Sequence, residues 1–148
     1  MTSTIQLTAP DHHSFPVYQA NPVGTPKGAV VVLQEIFGVN AHIRAVADGF
    51  AAAGYVALAP ATFHRVKPGV ELGYEGADMQ AGIALKTAVE ALPAPGVLQD
   101  IQVTIDRAAQ FGKVAVLPAV STSTFARFLF TKISINHSVS IKIVRHRT

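Results

Sequence analysis

Two short segments near the start of the chain alternate between apolar and polar side chains. The alternation covers residues 4–8 and 15–20, with Pro10 and Asp11 between the two segments. A period of two is typical of strands that bury one face. It predicts a hairpin of two edge strands, because Pro16 lacks the backbone N–H that a central strand needs.

Two later apolar segments are continuous rather than alternating. Residues 29–34 and 55–59 are rich in valine, alanine and leucine, which predicts parallel strands covered on both faces. Between them the apolar positions recur at helical spacing, with Asn40 as the side-chain cap and Gly54 as the stop. Strand, helix and strand in this order predict a right-handed βαβ unit.

The next part of the chain continues the alternation of helices and strands. Residues 61–76 predict a loop, and apolar stripes with a 3.6-residue period predict helices over 77–92 and 97–110. A third buried strand is predicted over 114–117. This order predicts an α/β fold, with a mainly parallel sheet and flanking helices.

The composition changes sharply after Leu117. Residues 1–117 contain all 11 glycines and all nine acidic residues, whereas residues 118–148 contain five basic residues and no acidic one. Apolar residues alternate again over 133–144 and predict one further strand. We therefore expect residues 1–117 to belong to a folded domain and residues 118–148 to be a divergent basic tail. The tail is either genuine or the product of a chain that has left its original reading frame.

The composition also limits the classes of function. The chain has 148 residues, 49% hydrophobic and 14% charged, which suits one packed domain. It contains no cysteine, so a disulfide, a thiol nucleophile and a zinc–thiolate site are excluded. Residues 1–6 lack the pattern of a secretion signal, and no apolar segment is long enough for a membrane helix. We expect a cytoplasmic protein, and, without a phosphate-binding glycine motif, no cofactor.

The end of the first parallel strand carries a distinctive motif. It reads Gln-Glu-Ile-Phe-Gly over residues 34–38, and Asn-x-His-Ile-Arg follows over 40–44. With these motifs the chain resembles the dienelactone hydrolase family of α/β-hydrolases over residues 5–117. The resemblance implies the N-terminal part of that fold, and hydrolysis of a lactone or small carboxylic ester through an acyl-enzyme formed on a Cys–His–Asp triad. Further matching segments lie at 52–60, 63–65, 98–101 and 112–114.

Three positions receive roles from this resemblance. Glu35 matches the glutamate that lies beside the nucleophilic thiol and helps control its ionisation. The backbone N–H of Ile36 matches one donor of the oxyanion hole, the N–H groups that stabilise the negative oxygen of the intermediate. Arg65 lies in the loop from which the family draws a cationic contact to an anionic substrate.

The resemblance fails where the nucleophile belongs. The family has Gly-x-Cys-x-Gly-Gly after the third parallel strand, and this chain has Pro-Ala-Val-Ser-Thr-Ser at residues 118–123. Val120 occupies the nucleophile slot and has no nucleophilic group. The 28 residues that follow it contain no aspartate, and one βαβ unit alone takes about 30 residues. The catalytic Cys, Asp and His are therefore missing from their family places, and we expect little or no hydrolysis.

Several alternatives remain open. Ser121 or Ser123 could replace the nucleophile, with His137 as the base, although neither serine lies on a glycine elbow. The basic tail with its phenylalanines is a weak nucleic-acid footprint. A non-catalytic module that pairs or dimerises through its tail and an exposed sheet edge is the alternative of a different class. We expect His12, His13 and His42 to be loop or helix-surface residues rather than metal ligands. Glu35, His42 and His64 lack the spacing of ligands on one element, so no metal site is expected.

Overall fold

The chain, described here from a computed structural model, forms six strands and three helices within residues 1–118 and 139–141, the described part. Every element predicted within the first 117 residues is present, with ends that agree within two residues. None of the helices in the described part has the length and apolar character needed to cross a membrane. In chain order the elements are β1 (Thr2–Thr8), β2 (Ser14–Ala20), β3 (Ala29–Leu33), α1 (Ala41–Ala52), β4 (Val56–Pro60), α2 (Gly76–Glu90), α3 (Leu98–Ala109), β5 (Val114–Pro118) and β6 (Val139–Ile141).

The strands form one sheet in the order β1-β2-β4-β3-β5-β6. β1 pairs antiparallel with β2 and β2 with β4, whereas the pairs that join β4, β3, β5 and β6 are parallel. At the centre, Val31 of β3 lies opposite Leu58 of β4 and Val116 of β5. The predicted α/β fold with a mainly parallel sheet is confirmed.

β2 lies inside the sheet, between β1 and β4, so the prediction of two edge strands is wrong for β2. Its pairing with β4 covers Val17–Ala20, and Pro16 lies just beyond this register. The Pro16 carbonyl accepts a hydrogen bond from Ala61 N. The missing N–H therefore falls where the β2–β4 ladder ends, and an interior strand accommodates the proline without losing a ladder bond.

The two faces of the sheet are covered by different helices. On one face Val30 and Val32 of β3 pack with Ile43 of α1. On the other face Val31 packs with Ile105 of α3. Successive residues of β3 thus point to opposite helices, which is why the whole strand is buried and its sequence is continuously apolar.

Local signals set the ends of α1 as predicted. The Oδ1 atom of Asn40 accepts a hydrogen bond from Ile43 N at 3.2 Å, which satisfies one free N–H of the first turn. Gly54 follows the helix with a φ of 100°, a conformation that glycine adopts without steric strain. The chain can therefore turn directly from α1 into β4.

Apart from Pro118 at the end of β5, the described part of the tail is β6. It pairs in parallel with β5, with Val139 opposite Val114 and Ile141 opposite Val116. It lies within the strand predicted over 133–144, and the other residues of that range lie outside the described residues.

The packing under α3 supports a test of stability. Ile105 is 1% exposed, so Ile105→Ala is expected to lower the free energy of unfolding by about 2–5 kcal/mol, because it removes buried methylene groups and leaves a cavity. Urea denaturation followed by circular dichroism measures the change. The control is Asp106→Ala at the next, exposed position, with an expected change within about 0.5 kcal/mol. Equal losses in the two variants would contradict the prediction.

Candidate active site

The candidate site lies at the carboxyl end of β3. Parallel strands place their carboxyl ends on one edge of the sheet, where α/β enzymes bind their substrates. Leu33, the last residue of β3, lies opposite Pro118 of β5, so the turn after β3 is adjacent to the end of β5. This turn is tight, because Gly38 N donates a hydrogen bond to the Glu35 carbonyl at 3.4 Å.

Glu35 presents a half-buried carboxylate at this turn. Burial raises the pKa of its carboxyl group, and the charge of His42 opposes that shift to a smaller extent. Among the described residues the carboxylate makes no hydrogen bond and no ion pair. A partly desolvated carboxylate without a partner is costly in a purely structural position and is typical of a functional one.

The backbone N–H of Ile36 is a free donor within the described part of the chain, where it binds no acceptor. Ile36 is partly buried, and backbone N–H groups shielded from water are almost always hydrogen-bonded. An unpaired N–H at the carboxyl end of a strand is what an oxyanion hole requires. The two consecutive residues predicted for this turn thus both carry a polar group that no described residue pairs.

Two glycines allow other segments to approach the turn closely. Gly38 has a φ of 80°, and a Cβ atom there would clash with the carbonyl oxygen of Val70. Gly82 of α2 is buried, and a Cβ atom there would clash with the carbonyl oxygen of Ile36. Neither contact was predicted. The one signal for Gly82 was its position inside a helix, where glycine is destabilising.

Arg65 is held between two aspartates rather than presented by its loop. Its Nε and Nη2 atoms each donate to Asp100 at 2.7 Å, and its Nη1 and Nη2 atoms donate to Asp11 at 2.6 and 3.0 Å. The Arg65 side chain is 12% exposed and that of Asp100 is 1% exposed. The hydrogen bonds that Arg65 donates to Asp100 and Asp11 raise the pKa of Arg65, and the guanidinium holds the pKa of Asp11 well below its usual range.

These ion pairs have a structural geometry. They connect the β1–β2 turn, the loop after β4 and α3, and they use most of the five N–H groups of the guanidinium. Asp100 was missed as a partner because it lies 35 positions from Arg65 in the sequence. The predicted contact of Arg65 with an anionic substrate stays a prediction, and a substrate would compete there with two carboxylates.

The histidines lie apart from the turn or on the surface. Nδ1 of His64 lies 3.2 Å from Nε2 of His13. Burial, and after it the charge of His13, lowers the pKa of His64, whereas Asp100 opposes the shift. His42 and His12 are exposed. Within residues 1–118 and 139–141, no three or more His, Cys, Asp or Glu side chains are grouped as metal ligands would be.

The predicted nucleophile slot at Val120 lies outside the described residues. So do the alternative nucleophiles Ser121 and Ser123 and their proposed base, His137. The described site therefore consists of Glu35 and the Ile36 N–H, and the assignment of the slot rests on sequence.

The comparison with protein families decides where this fold belongs. The model of the dienelactone hydrolase family matches residues 15–117. The chain belongs to the dienelactone hydrolase family. The match confirms the predicted resemblance over 15–117 of the range 5–117, and it ends at the residue after which the composition changes.

Relatives of the dienelactone hydrolase family match the same region. A Synechocystis sp. protein with the provisional name carboxymethylenebutenolidase is 44% identical over 89 residues, which cover 60% of this chain and 35% of that protein. The carboxymethylenebutenolidase of Pseudomonas putida is 30% identical over 96 residues, which cover 56% of this chain and 41% of that protein. The chain thus spans well under half the length of these relatives.

Solved structures of dienelactone hydrolases and other α/β-hydrolases share the fold. A Klebsiella pneumoniae protein, provisionally named a dienelactone hydrolase, superposes with a TM-score of 0.59 at 25% identity, covering 80% of this chain and 50% of that chain. A lipase in its open form superposes with a TM-score of 0.56 at 18% identity, covering 95% of this chain and 44% of that chain. The likeness to the lipase shows the fold alone.

The role of the Arg65 network can be tested by removing its buried carboxylate. Asp100→Ala is expected to lower the free energy of unfolding by about 3–5 kcal/mol, because it leaves a largely buried guanidinium with one carboxylate fewer. Urea denaturation measures the loss. Adding Arg65→Met to Asp100→Ala is expected to recover part of it, because the only carboxylate of the network that then remains, Asp11, is exposed to solvent. A single variant as stable as the starting chain would contradict this role.

The unpaired carboxylate of Glu35 predicts a dependence of stability on pH. Its pKa is raised above 4.5 in the folded state, so the folded chain binds more protons than the unfolded chain, and stability is lost as the pH rises through the folded pKa. Glu35→Gln removes this loss and is expected to raise the free energy of unfolding at pH 7, measured by urea denaturation. The gain is expected to disappear below pH 4.5, the ordinary pKa.

Glu75→Gln is the matched control for this measurement, because Glu75 is exposed and makes no side-chain capping bond at the start of α2. It is expected to give no gain at pH 7. A destabilised Glu35→Gln variant would show that the carboxylate has a stabilising partner in the folded chain.

Proposed function

We propose that this chain carries the glutamate and one oxyanion donor of a hydrolase for lactones or small carboxylic esters, and that by itself it completes little or no hydrolysis. The observation that carries the first part is Glu35, a half-buried carboxylate without a described partner at the carboxyl end of β3 in a dienelactone hydrolase fold. The second part rests on Val120, which stands where the family has its cysteine.

The reaction class explains why these groups matter. The nucleophile attacks the carbonyl carbon, the C=O π electrons move onto the oxygen, and N–H donors stabilise the negative charge. The intermediate expels the alkoxide, which is protonated, and water then hydrolyses the acyl-enzyme. The free Ile36 N–H supports the donor role. The raised pKa of Glu35 suits it to exchange a proton with a neighbouring nucleophile.

The nucleophile is the missing part of this proposed site. β5 ends at Pro118 beside the end of β3, so the elbow of the family would follow directly. Proline restricts φ to negative values, where the family has a glycine, and valine has no nucleophilic atom. Ser121 and Ser123, one and three positions beyond the slot, are the alternative nucleophiles that an assay has to test.

We also propose that the chain has two parts, residues 1–117 from a hydrolase domain and residues 118–148 as a divergent tail. The family match ends at Leu117, and no glycine or acidic residue occurs after that position. Sequencing the encoding DNA tests whether a frame shift caused the change of composition after Leu117. A Gly-x-Cys-x-Gly-Gly elbow in another frame supports a frame shift, and its absence from all frames supports a genuine tail.

The cytoplasmic location expected from the sequence stays a prediction.

A non-catalytic module is the second candidate function. The observation that favours it is the pairing of β6 with β5 within one chain, because tail residues then occupy the side of β5 away from β3. Size-exclusion chromatography distinguishes two forms of this proposal. A monomer supports pairing within one chain, and a defined dimer supports pairing between chains. Soluble aggregate would instead indicate a fragment with an incomplete sheet.

Absence of turnover is the expected outcome for the purified chain. It is expected to hydrolyse p-nitrophenyl acetate no faster than buffer does, because the slot holds Val120, and the absorbance of p-nitrophenolate measures the rate. Turnover that Ser121→Ala or Ser123→Ala abolishes would contradict the proposal. Ser134→Ala, a serine of the same tail, is the control for a general effect of serine removal.

A further inference from the structure

The peptide unit between Glu35 and Ile36 is held from its carbonyl side. The Glu35 carbonyl accepts hydrogen bonds from the side-chain Nε2 of Gln34 at 3.2 Å and from Gly38 N at 3.4 Å. A peptide unit is planar, with its C=O and N–H pointing in opposite directions. Whatever fixes the Glu35 carbonyl therefore also fixes the direction of the Ile36 N–H.

The Gln34 side chain is itself held at its other end. It is 3% exposed, and its Oε1 atom accepts a hydrogen bond from Thr62 N at 3.0 Å. Thr62 belongs to the loop that follows β4 and is also buried. The Gln34 amide thus connects the end of β3 to the loop after the neighbouring strand. Its oxygen accepts a hydrogen bond from the loop, and its nitrogen donates one to the turn.

We propose that Gln34 is a positioning residue, which aims the Ile36 N–H at the place where the oxyanion of a substrate forms. The proposal rests on the assignment of that N–H as an oxyanion donor under the proposed function. Gln34 touches the donor only through the shared peptide plane. Through Gln34 the orientation of the donor depends on the loop after β4.

A purely structural role for Gln34 makes a different prediction. Loss of a buried side chain would then loosen the strand as a whole, including Val31 and Val32. A positioning role loosens the Ile36 N–H while these β3 amides stay rigid. Thermal stability alone cannot separate the two roles, whereas the motion of individual N–H vectors can.

The test is ¹⁵N relaxation of the whole chain and of Gln34→Met, which keeps the length of the side chain and removes both hydrogen bonds. The order parameter of the Ile36 N–H is expected near the rigid value of about 0.85 in the starting chain and below about 0.6 in the variant. Val31 and Val32 are expected to stay rigid. The matched control is Gln19→Met, since Gln19 is 7% exposed and its Nε2 donates only to Asn21, at 2.8 Å.

A second variant separates the two ends of the amide and serves if Gln34→Met does not fold. Gln34→Glu, at a pH high enough to ionise the new carboxyl, keeps an acceptor for Thr62 N but has no donor for the Glu35 carbonyl. This variant is expected to keep the order parameter of the Thr62 N–H high and to lower that of the Ile36 N–H. Lowering the pH protonates the new carboxyl, which restores a donor and is expected to restore the order of Ile36.

Three results would overturn the proposal. One is an Ile36 order parameter that stays near 0.85 in a folded Gln34 variant. Another is the same loss of order at Ile36 in Gln19→Met, and the third is an Ile36 N–H that is already mobile in the starting chain. These relaxation measurements are made without a substrate, so their outcome does not depend on whether the chain hydrolyses an ester. Turnover assays therefore test the proposed function separately.

Discussion

The parallel pairing of β3 with β4 on one side and β5 on the other is the constraint on which the rest of this structure depends. It buries all five residues of β3, which are therefore apolar. It also requires α1 and α3 as covers for the two faces. Polar groups of this segment can appear only where the strand stops, and that is where the conspicuous motif of the sequence lies.

Burial at that turn has opposite consequences for two neighbouring residues. Gln34 is neutral, and both ends of its amide are hydrogen-bonded, so its burial is tolerated and gives the side chain a defined position. Glu35 has no described partner, so burial disfavours its charged form. Gln34 thus has hydrogen bonds at both ends of its amide, as a supporting residue would, whereas Glu35 has the unpaired carboxylate that its proposed role requires.

The Arg65 network also buries a charged group, but there ion pairs offset the free-energy cost of desolvation. The guanidinium is largely buried, yet carboxylates on two other segments bind it, so the charge is retained in the interior. The loop that carries Arg65 also carries Thr62, whose N–H binds Gln34. The ion pairs that hold this loop in place and the hydrogen bond that reaches the candidate site thus belong to one segment of chain.

The sequence by itself determined the secondary-structure elements and named the residues of the candidate site. Continuous apolar segments, the Asn40 cap and the Gly54 stop act within a few residues. The Gln-Glu-Ile-Phe-Gly motif, through its family resemblance, named Glu35 and Ile36 as candidate site residues. Only the tertiary structure decided that β2 lies inside the sheet, that Arg65 binds Asp100, and that Gly82 approaches the site. These contacts join residues far apart in the chain. Local periodicity does not specify them, because they depend on which strands become neighbours when the sheet assembles.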